Sequence, residues 1–260
     1  MNVKIRVPVP AICAEDLGAA HALLREVYEE EMRFPKSLVT LELVKLNLDH
    51  SDRVRANAAA IAAGEGLDVE LLQLAALLHD VSKLDHREIW SGGIDTWHHH
   101  HRGASLAKKL ILANLKLDSQ VADTTARIIE AHSDVPFIRR YWEVVYHSSL
   151  PTPVTPEEFA LRDADTIDLL WVGGMSKLVH IRQVPGSAFY KEDGGDIKKA
   201  IISARSSFLE SISVLSTNTG RDLAVSRILT VESFFDVVVA VKDLWEFDQV
   251  YQRFLAEKCA

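Results

Sequence analysis

The chain has 260 residues, 48% hydrophobic and 25% charged, an ordinary globular composition with enough apolar material for a sizeable core. Lys and Arg total 29 against 37 Asp and Glu, a formal charge of −8. That balance argues against general nucleic-acid binding, which would rest on a basic stripe neutralising phosphates, but leaves room for a small phosphorylated substrate.

Met1–Pro10 alternates apolar and polar residues without a continuous apolar stretch and reads as an extended arm rather than a signal peptide. Glu15 to Glu31 carries Leu17, Leu23, Leu24, Val27 and Tyr28 at the spacing of a one-sided helix. Leu38 to Ala63 repeats this with Leu41, Val44, Leu48, Val54, Ala58 and Ile61, and ends at Gly64 and Gly66. Asp68 is suited to cap Val69 to Lys83, a segment apolar nearly all round until its last turn and so expected to be a buried central helix. A loop, Leu84 to Thr96, contains Gly92 and Gly93. Helices are expected from His99 to Leu115 and from Asp118 to His132, before a break marked by Pro136, Pro151 and Pro153. Thr155-Pro156-Glu157-Glu158 has the pattern of a capping box and opens a helix through Asp165 towards Val172. After Gly194 and Gly195 the pattern is helical from Asp196 to the end, with a break expected at Thr217–Gly220.

The expected fold is therefore all-α. Residues 1–37 form an arm and helix, 38–185 the main domain, and 186–260 a helical extension packed on the same domain. Cys13 and Cys259 lie near opposite ends with no Cys-x-x-Cys pair, and read as reduced bystanders. No segment approaches the ~20 apolar residues needed to span a bilayer, so no membrane association is expected and the chain reads as cytoplasmic; homo-oligomer formation stays open.

His79 and Asp80 stand at the exit of the most apolar helix, where an unpaired carboxylate is costly. A divalent cation would satisfy both side chains. His50, on a face shared with Arg53 and Asn57, and Asp165, in LRDADTIDLL, offer donors from two other helices. A His, His-Asp, Asp set leaves coordination positions open for water or substrate, as a hydrolytic metal site requires.

The phrases HSDRVRANA, LAALLHDVSK and LRDADTIDLL, in this order, resemble the HD-domain superfamily of metal-dependent phosphohydrolases over roughly Leu38 to Val184. A fainter likeness to an uncharacterised bacterial HD-hydrolase subfamily continues through STNTGRDLAVSRI. The resemblance implies an HD-domain helical bundle in which His50, His79, Asp80 and Asp165 hold a divalent metal: Mn, Co, Ni, Mg, Zn or Fe. Asp163 competes with Asp165 for the last role. HHHHRGASLA and IIEAHSD resemble phrases of two-metal HD proteins, which makes His99, His100 and His132 candidates for a second ion bridged by Asp80. Against this, His98–His101 reads as an exposed polar loop. Lys83 is a candidate for substrate phosphate and transition-state charge, or a solvated lysine favoured by the helix dipole. Arg53 and Arg102 are candidates for phosphate binding or for structural ion pairs. Asp49, Asp52, Asp85 and His86 could orient ligand imidazoles. Trp90, Trp97, Trp142 and Trp171 suit either core packing or a base-stacking pocket.

The implied activity is hydrolysis of a nucleotide or other small phosphoester by metal-activated water, with Asp80 and Lys83 as catalytic residues. Two alternatives stand beside it: an HD-fold di-iron oxygenase, and a non-catalytic regulatory module stapled by its metal.

Overall fold

Capping residues and apolar stripes become helices throughout the computed structural model, which describes residues 11–34, 39–84, 99–133, 151–183 and 194–258. Helix α1 spans Ala14–Arg33, with the Asp16 carboxylate accepting the Cys13 backbone N–H at 2.9 Å. Helix α2, Leu41–Glu65, is capped by Thr40 and closed by Gly66 at φ 66°, a left-handed position that glycine adopts without strain. Asp68 accepts the Leu71 N–H at 2.9 Å and starts α3, Val69–Leu78. Helix α4, His99–Leu110, runs into a π-helical turn, Ile111–Leu115, and α5 spans Ser119–Glu130 behind an Asp118 cap. The Thr155–Glu158 capping box forms as expected and starts α6, Pro156–Leu169. Then come α7, Val172–Gln183, α8, Ile197–Ser213, α9, Asn218–Val238, and α10, Leu244–Lys258.

Helix α3 is the centre. Leu71, Leu72, Leu74, Ala75, Ala76, Leu77 and Leu78 are all buried, and α1, α2, α5 and α6 pack around it. A ten-residue helix with so little polar surface is held by its neighbours rather than by its own propensity. Helix α2 also lies along α6, and α4 pairs with α5. The C-terminal helices continue the same core: Phe208, Phe234 and Phe247 belong to one apolar cluster with the leucines of α3. Helix α9 packs on α2, α6, α7, α8 and α10. None of the described helices is long and apolar enough to cross a membrane.

Several boundaries differ from expectation: α2 starts at Leu41 and runs through Gly64 to Glu65, and residues 239–243 separate α9 from α10 where no break was expected. Helix α3 ends at Leu78, not Lys83, because Val81 and Lys83 donate to residues three back, Leu78 and Asp80, and tighten the chain into turns. Helix α6 stops at Leu169, before Val172. The late break falls at 214–217, with Gly220 inside α9. Gly92, Gly93, Pro136 and Cys259 lie outside the described residues.

Asp163 explains how the C-terminal helices are anchored. Buried on α6, its Oδ2 accepts the Ser216 N–H at 2.8 Å, the Thr217 N–H at 2.7 Å and the Thr217 hydroxyl at 2.9 Å. Its Oδ1 accepts from Arg162 at 3.0 Å. Removing a carboxylate so engaged leaves buried donors and a guanidinium short of an acceptor. Asp163→Ala is expected to cost about 3 kcal/mol in urea unfolding; a loss below about 1 kcal/mol would show that the anchor is dispensable.

Candidate metal centre

The apolar helix α3 delivers two polar residues, His79 and Asp80, where the helix stops. His79 is its C-terminal cap and is fully buried, with Nδ1 2.7 Å from the Ala76 carbonyl. A carbonyl only accepts, so Nδ1 carries a proton, and Nε2, which faces His50 and Asp165, is the nitrogen left to a metal. In the tight turn that follows, Asp80 is buried and Lys83 folds back onto its Oδ2. The Tyr28 hydroxyl donates to the Asp80 backbone carbonyl at 2.9 Å, and Ser82 donates to the His99 carbonyl at 3.0 Å, tying the turn to α1 and α4. Helix α4 comes so close that a Cβ at Gly103 would lie 2.9 Å from the His79 carbonyl oxygen. Glycine is what lets His99 reach the centre.

Asp80 stands between two groups of donors. On its Oδ2 side, His50 Nε2 is 3.3 Å away and His79 Nε2 3.3 Å. Asp165 Oδ1 completes this side, 3.3 Å from His50 Nε2 and 3.7 Å from His79 Nε2. On the other side, Asp80 Oδ1 is 3.3 Å from His99 Nε2 and 4.0 Å from His132 Nε2, and those two nitrogens are 3.3 Å apart. Three triads, His50-His79-Asp80, His79-His132-Asp165 and Asp80-His99-His132, each bring their ligand atoms within 4.8 Å of one another. Two observations fit a divalent cation. Asp80 Oδ1 is buried without a hydrogen-bond partner among the described residues, an arrangement that ordinarily demands an explanation. Facing imidazole nitrogens, such as His50 and His79 at 3.2 Å, are reconciled by a cation that takes both lone pairs.

The expected residues sort out by position. His50, His79, Asp80 and Asp165 converge, as do His99 and His132. Asp163 is turned to the Ser216–Thr217 anchor instead. His100 is buried but stands outside the triads, its ring 4.2 Å from that of His101 and 5.9 Å from that of His99. Arg53 forms a fork on Asp168, with Nε 2.7 Å from Oδ1 and Nη2 3.1 Å from Oδ2. Its guanidinium lies over Trp171, 5.0 Å from the ring centre, so Arg53 is engaged structurally rather than offered to a phosphate. Arg102 is half-buried on α4, one turn after His99. Asp49 is exposed, and Asp52 pairs with His21 of α1 at 3.2 Å, so neither orients an imidazole of the centre. His98, Asp85, His86, Trp90, Trp97 and Trp142 lie outside the described residues. Sequence reasoning missed Asp168, whose Oδ2 is 2.7 Å from His50 Nδ1, and Ser133, whose hydroxyl lies 3.2 Å from His132 Nε2. The signal for Asp168 was its place one turn after Asp165, on the same face of α6.

The electrostatics divide the histidines. Burial alone would lower His50 and His79, but Asp165, Asp168 and Asp80 raise His50 to about 9, and Asp80 and Asp165 raise His79 to about 10. Burial lowers His99 well below the ordinary range and, with the charge of His79, lowers His132 to about 4. Asp80 and Asp165 resist burial: His79 and Lys83 hold the first well below the usual carboxylate range, His50 and His79 the second. Protons on His50 and His79 thus do for the carboxylates what a cation would do. A folded pKa above the unfolded 6.5 stabilises fully below pH 6.5, and that stability is lost as pH rises through about 9 and 10. His132 has the opposite sign, since the unfolded chain takes up its proton first as pH falls from 6.5 towards 4. Metal-stripped protein is therefore expected to have its highest Tm near neutral pH and to lose stability towards pH 10, and metal loading should flatten the alkaline limb. Circular-dichroism melts across pH, with and without Mn²⁺, check this.

The family model for the HD domain matches residues 47–170, a span that takes in all these donors. Among solved structures, Bacillus subtilis YpgQ in complex with ADP is similar, with a TM-score of 0.56 and 17% identity over 87% of this chain and 95% of that one. A Lactobacillus plantarum protein is similar with a TM-score of 0.50 and 18% identity, over 88% and 98% of the two chains. A predicted HD superfamily hydrolase from an uncultured Thermotogales bacterium has a TM-score of 0.47 and 22% identity, over 85% and 90%. At such identities the likeness to YpgQ and the L. plantarum protein is one of fold. No match was found among curated proteins. The HD-domain match over residues 47–170, from α2 to α6, lies on an all-helical fold whose His and Asp donors meet at one centre, and identifies that part of the chain as an HD domain.

Proposed function

We propose that the protein is a metal-dependent phosphohydrolase acting on a nucleotide or other small phosphoester. The observation that carries this reading is the bridging position of Asp80, a buried carboxylate with one oxygen towards His50, His79 and Asp165 and the other towards His99 and His132. Those residues would hold one or two divalent ions. Such ions supply Lewis-acid polarisation of a phosphoryl oxygen and a water acidic enough to attack at neutral pH.

The protein's own groups supply the rest. Lys83 places an ammonium at the edge of the carboxylate cluster, 23% exposed, where it can leave Asp80 for a phosphoryl oxygen and offset charge growing in the transition state. Burial lowers its pKa, but Asp80, Asp165 and Asp168 raise it further, so it stays charged. Asp80 and Asp165, held ionised, are acceptors that fix donors rather than proton sources. The ADP complex of YpgQ, similar in fold, makes nucleotides the first substrates to try.

The test is phosphate release from a panel of nucleotides and phosphometabolites, using metal-stripped protein reloaded with Mn²⁺, Co²⁺, Ni²⁺ or Mg²⁺. Release should require a metal and vanish in Asp165→Ala. Lys83→Ala should keep metal affinity and lower kcat/KM about 100–1000-fold, the range for a lost charge-stabilising contact; unchanged kinetics would return Lys83 to the role of a solvated lysine.

A second reading draws on the same convergence of four imidazoles and two carboxylates, which also suits two irons. Oxygen uptake by iron-loaded protein, with no phosphate release under any metal, would move the assignment to the oxygenase.

A further inference from the structure

We propose that Asp168, clamped by Arg53, is the positioning residue of the metal centre: it fixes the tautomer and direction of His50 and thereby aligns α2 with α6. The proposal rests on the metal-binding part of the function proposed above, and on contacts that nothing in the ligand set itself requires.

His50 is 8% exposed, and its Nδ1 lies 2.7 Å from Asp168 Oδ2. A carboxylate only accepts, so Nδ1 keeps a proton, and Nε2, which faces His79, Asp80 and Asp165, is the nitrogen whose lone pair a bound metal would take. His79 and His132 secure the same tautomer locally, from the Ala76 and Ile129 carbonyls three residues back. His50 depends instead on a side chain from another helix, 118 residues away in sequence.

Arg53 removes the remaining freedom. Its fork engages both oxygens of Asp168, and the Trp171 ring closes one face of the guanidinium. Asp168 is thus held on two edges, and its rotation would break two charge-assisted bonds before it released His50. The spacing is matched on the two helices. His50 and Arg53 are one turn apart on α2; Asp165 and Asp168 are one turn apart on α6. The His50–Asp165 approach at 3.3 Å and the Arg53–Asp168 fork are therefore successive rungs between the same two helices. A slip that broke one would break the other. Neither Arg53 nor Asp168 touches the reacting region; both act through His50.

The experiment is calorimetric titration of metal-stripped full-length protein with Co²⁺. Wild type, Asp168→Ala, Asp168→Asn, Arg53→Ala and the Arg53→Ala/Asp168→Ala double variant are compared. Asp168→Ala should weaken Co²⁺ binding about 10–100-fold. Asp168→Asn should recover most of this, because its amide oxygen still accepts from Nδ1. Arg53→Ala should cost less, and the double variant should bind no more weakly than Asp168→Ala. Wild-type affinity in Asp168→Ala, or single losses that multiply in the double variant, would overturn the proposal. Should Asp168→Ala fail to fold, long-range ¹H–¹⁵N imidazole spectra of Zn²⁺-loaded wild type decide, with His50 assigned through His50→Gln. His50 protonated at Nδ1 supports the assignment, and protonation at Nε2 ends it. Affinity is read without substrate, so failure to hydrolyse any phosphoester leaves this result intact, and wild-type affinity in Asp168→Ala leaves the hydrolase reading intact.

Discussion

A carboxylate at the end of a buried helix has to be compensated, and much of the centre can be understood as the means of compensating Asp80. Its Oδ2 meets Lys83 and the Nε2 atoms of His50 and His79, its Oδ1 faces His99 and His132, and its backbone carbonyl takes the Tyr28 hydroxyl. Helices α1 to α5 and the turn after α3 each contribute to that surrounding. Burial makes an ionised Asp80 costly, and the same burial strengthens the field of its neighbours, so it stays ionised only where several positive or metal-bound partners converge. This coupling makes the centre a functional hypothesis rather than a coincidence of histidines.

The second constraint is the mutual register of α2 and α6. Asn57 on α2 donates to the Ala164 carbonyl at 3.1 Å, next to Asp165. Arg227 on α9 then donates to the Asn57 side-chain oxygen at 3.0 Å and to the Ile167 carbonyl at 2.8 Å. The C-terminal helices are thus more than a cover for the core: α9 ties together the two helices that carry His50 and Asp165. The Asp163 anchor holds the start of α9 to the same stretch of α6, and the Glu65 carboxylate accepts the Thr219 N–H at 2.8 Å at the end of α2. Four neighbouring residues of α6 therefore divide the labour, with Asp163 fastening the C-terminal unit, Ala164 bonded to α2, Asp165 in the cluster and Asp168 behind His50.

Helix α6 also marks the limit of reading function along a sequence. Asp163, Asp165 and Asp168 are the same chemical group within six residues, and helical spacing separates them by direction. Periodicity can say that Asp165 and Asp168 share a side and that Asp163 does not share it fully. Which partner waits on each side depends on α2, α3 and α9, brought there from other parts of the chain.

The chain's local chemistry determined most of its helices, its caps at Asp68 and Thr155, the burial of α3, and the placing of His79 and Asp80 at that helix's exit. It also marked His50 and Asp165 as donors to bring together with them, and the resemblance to the HD superfamily added His99, His100 and His132. Tertiary packing decided what depends on direction. It ended α3 at Leu78 and folded Lys83 back onto Asp80 through the turns. It chose His99 over His100 through the close approach of α4 at Gly103, and took Arg53 for Asp168. Local pattern reports which residues are polar, apolar or capping because those preferences act within a few residues of chain. Orientation around a buried charge is set by groups dozens of residues apart, whose distances exist only once the helices have packed.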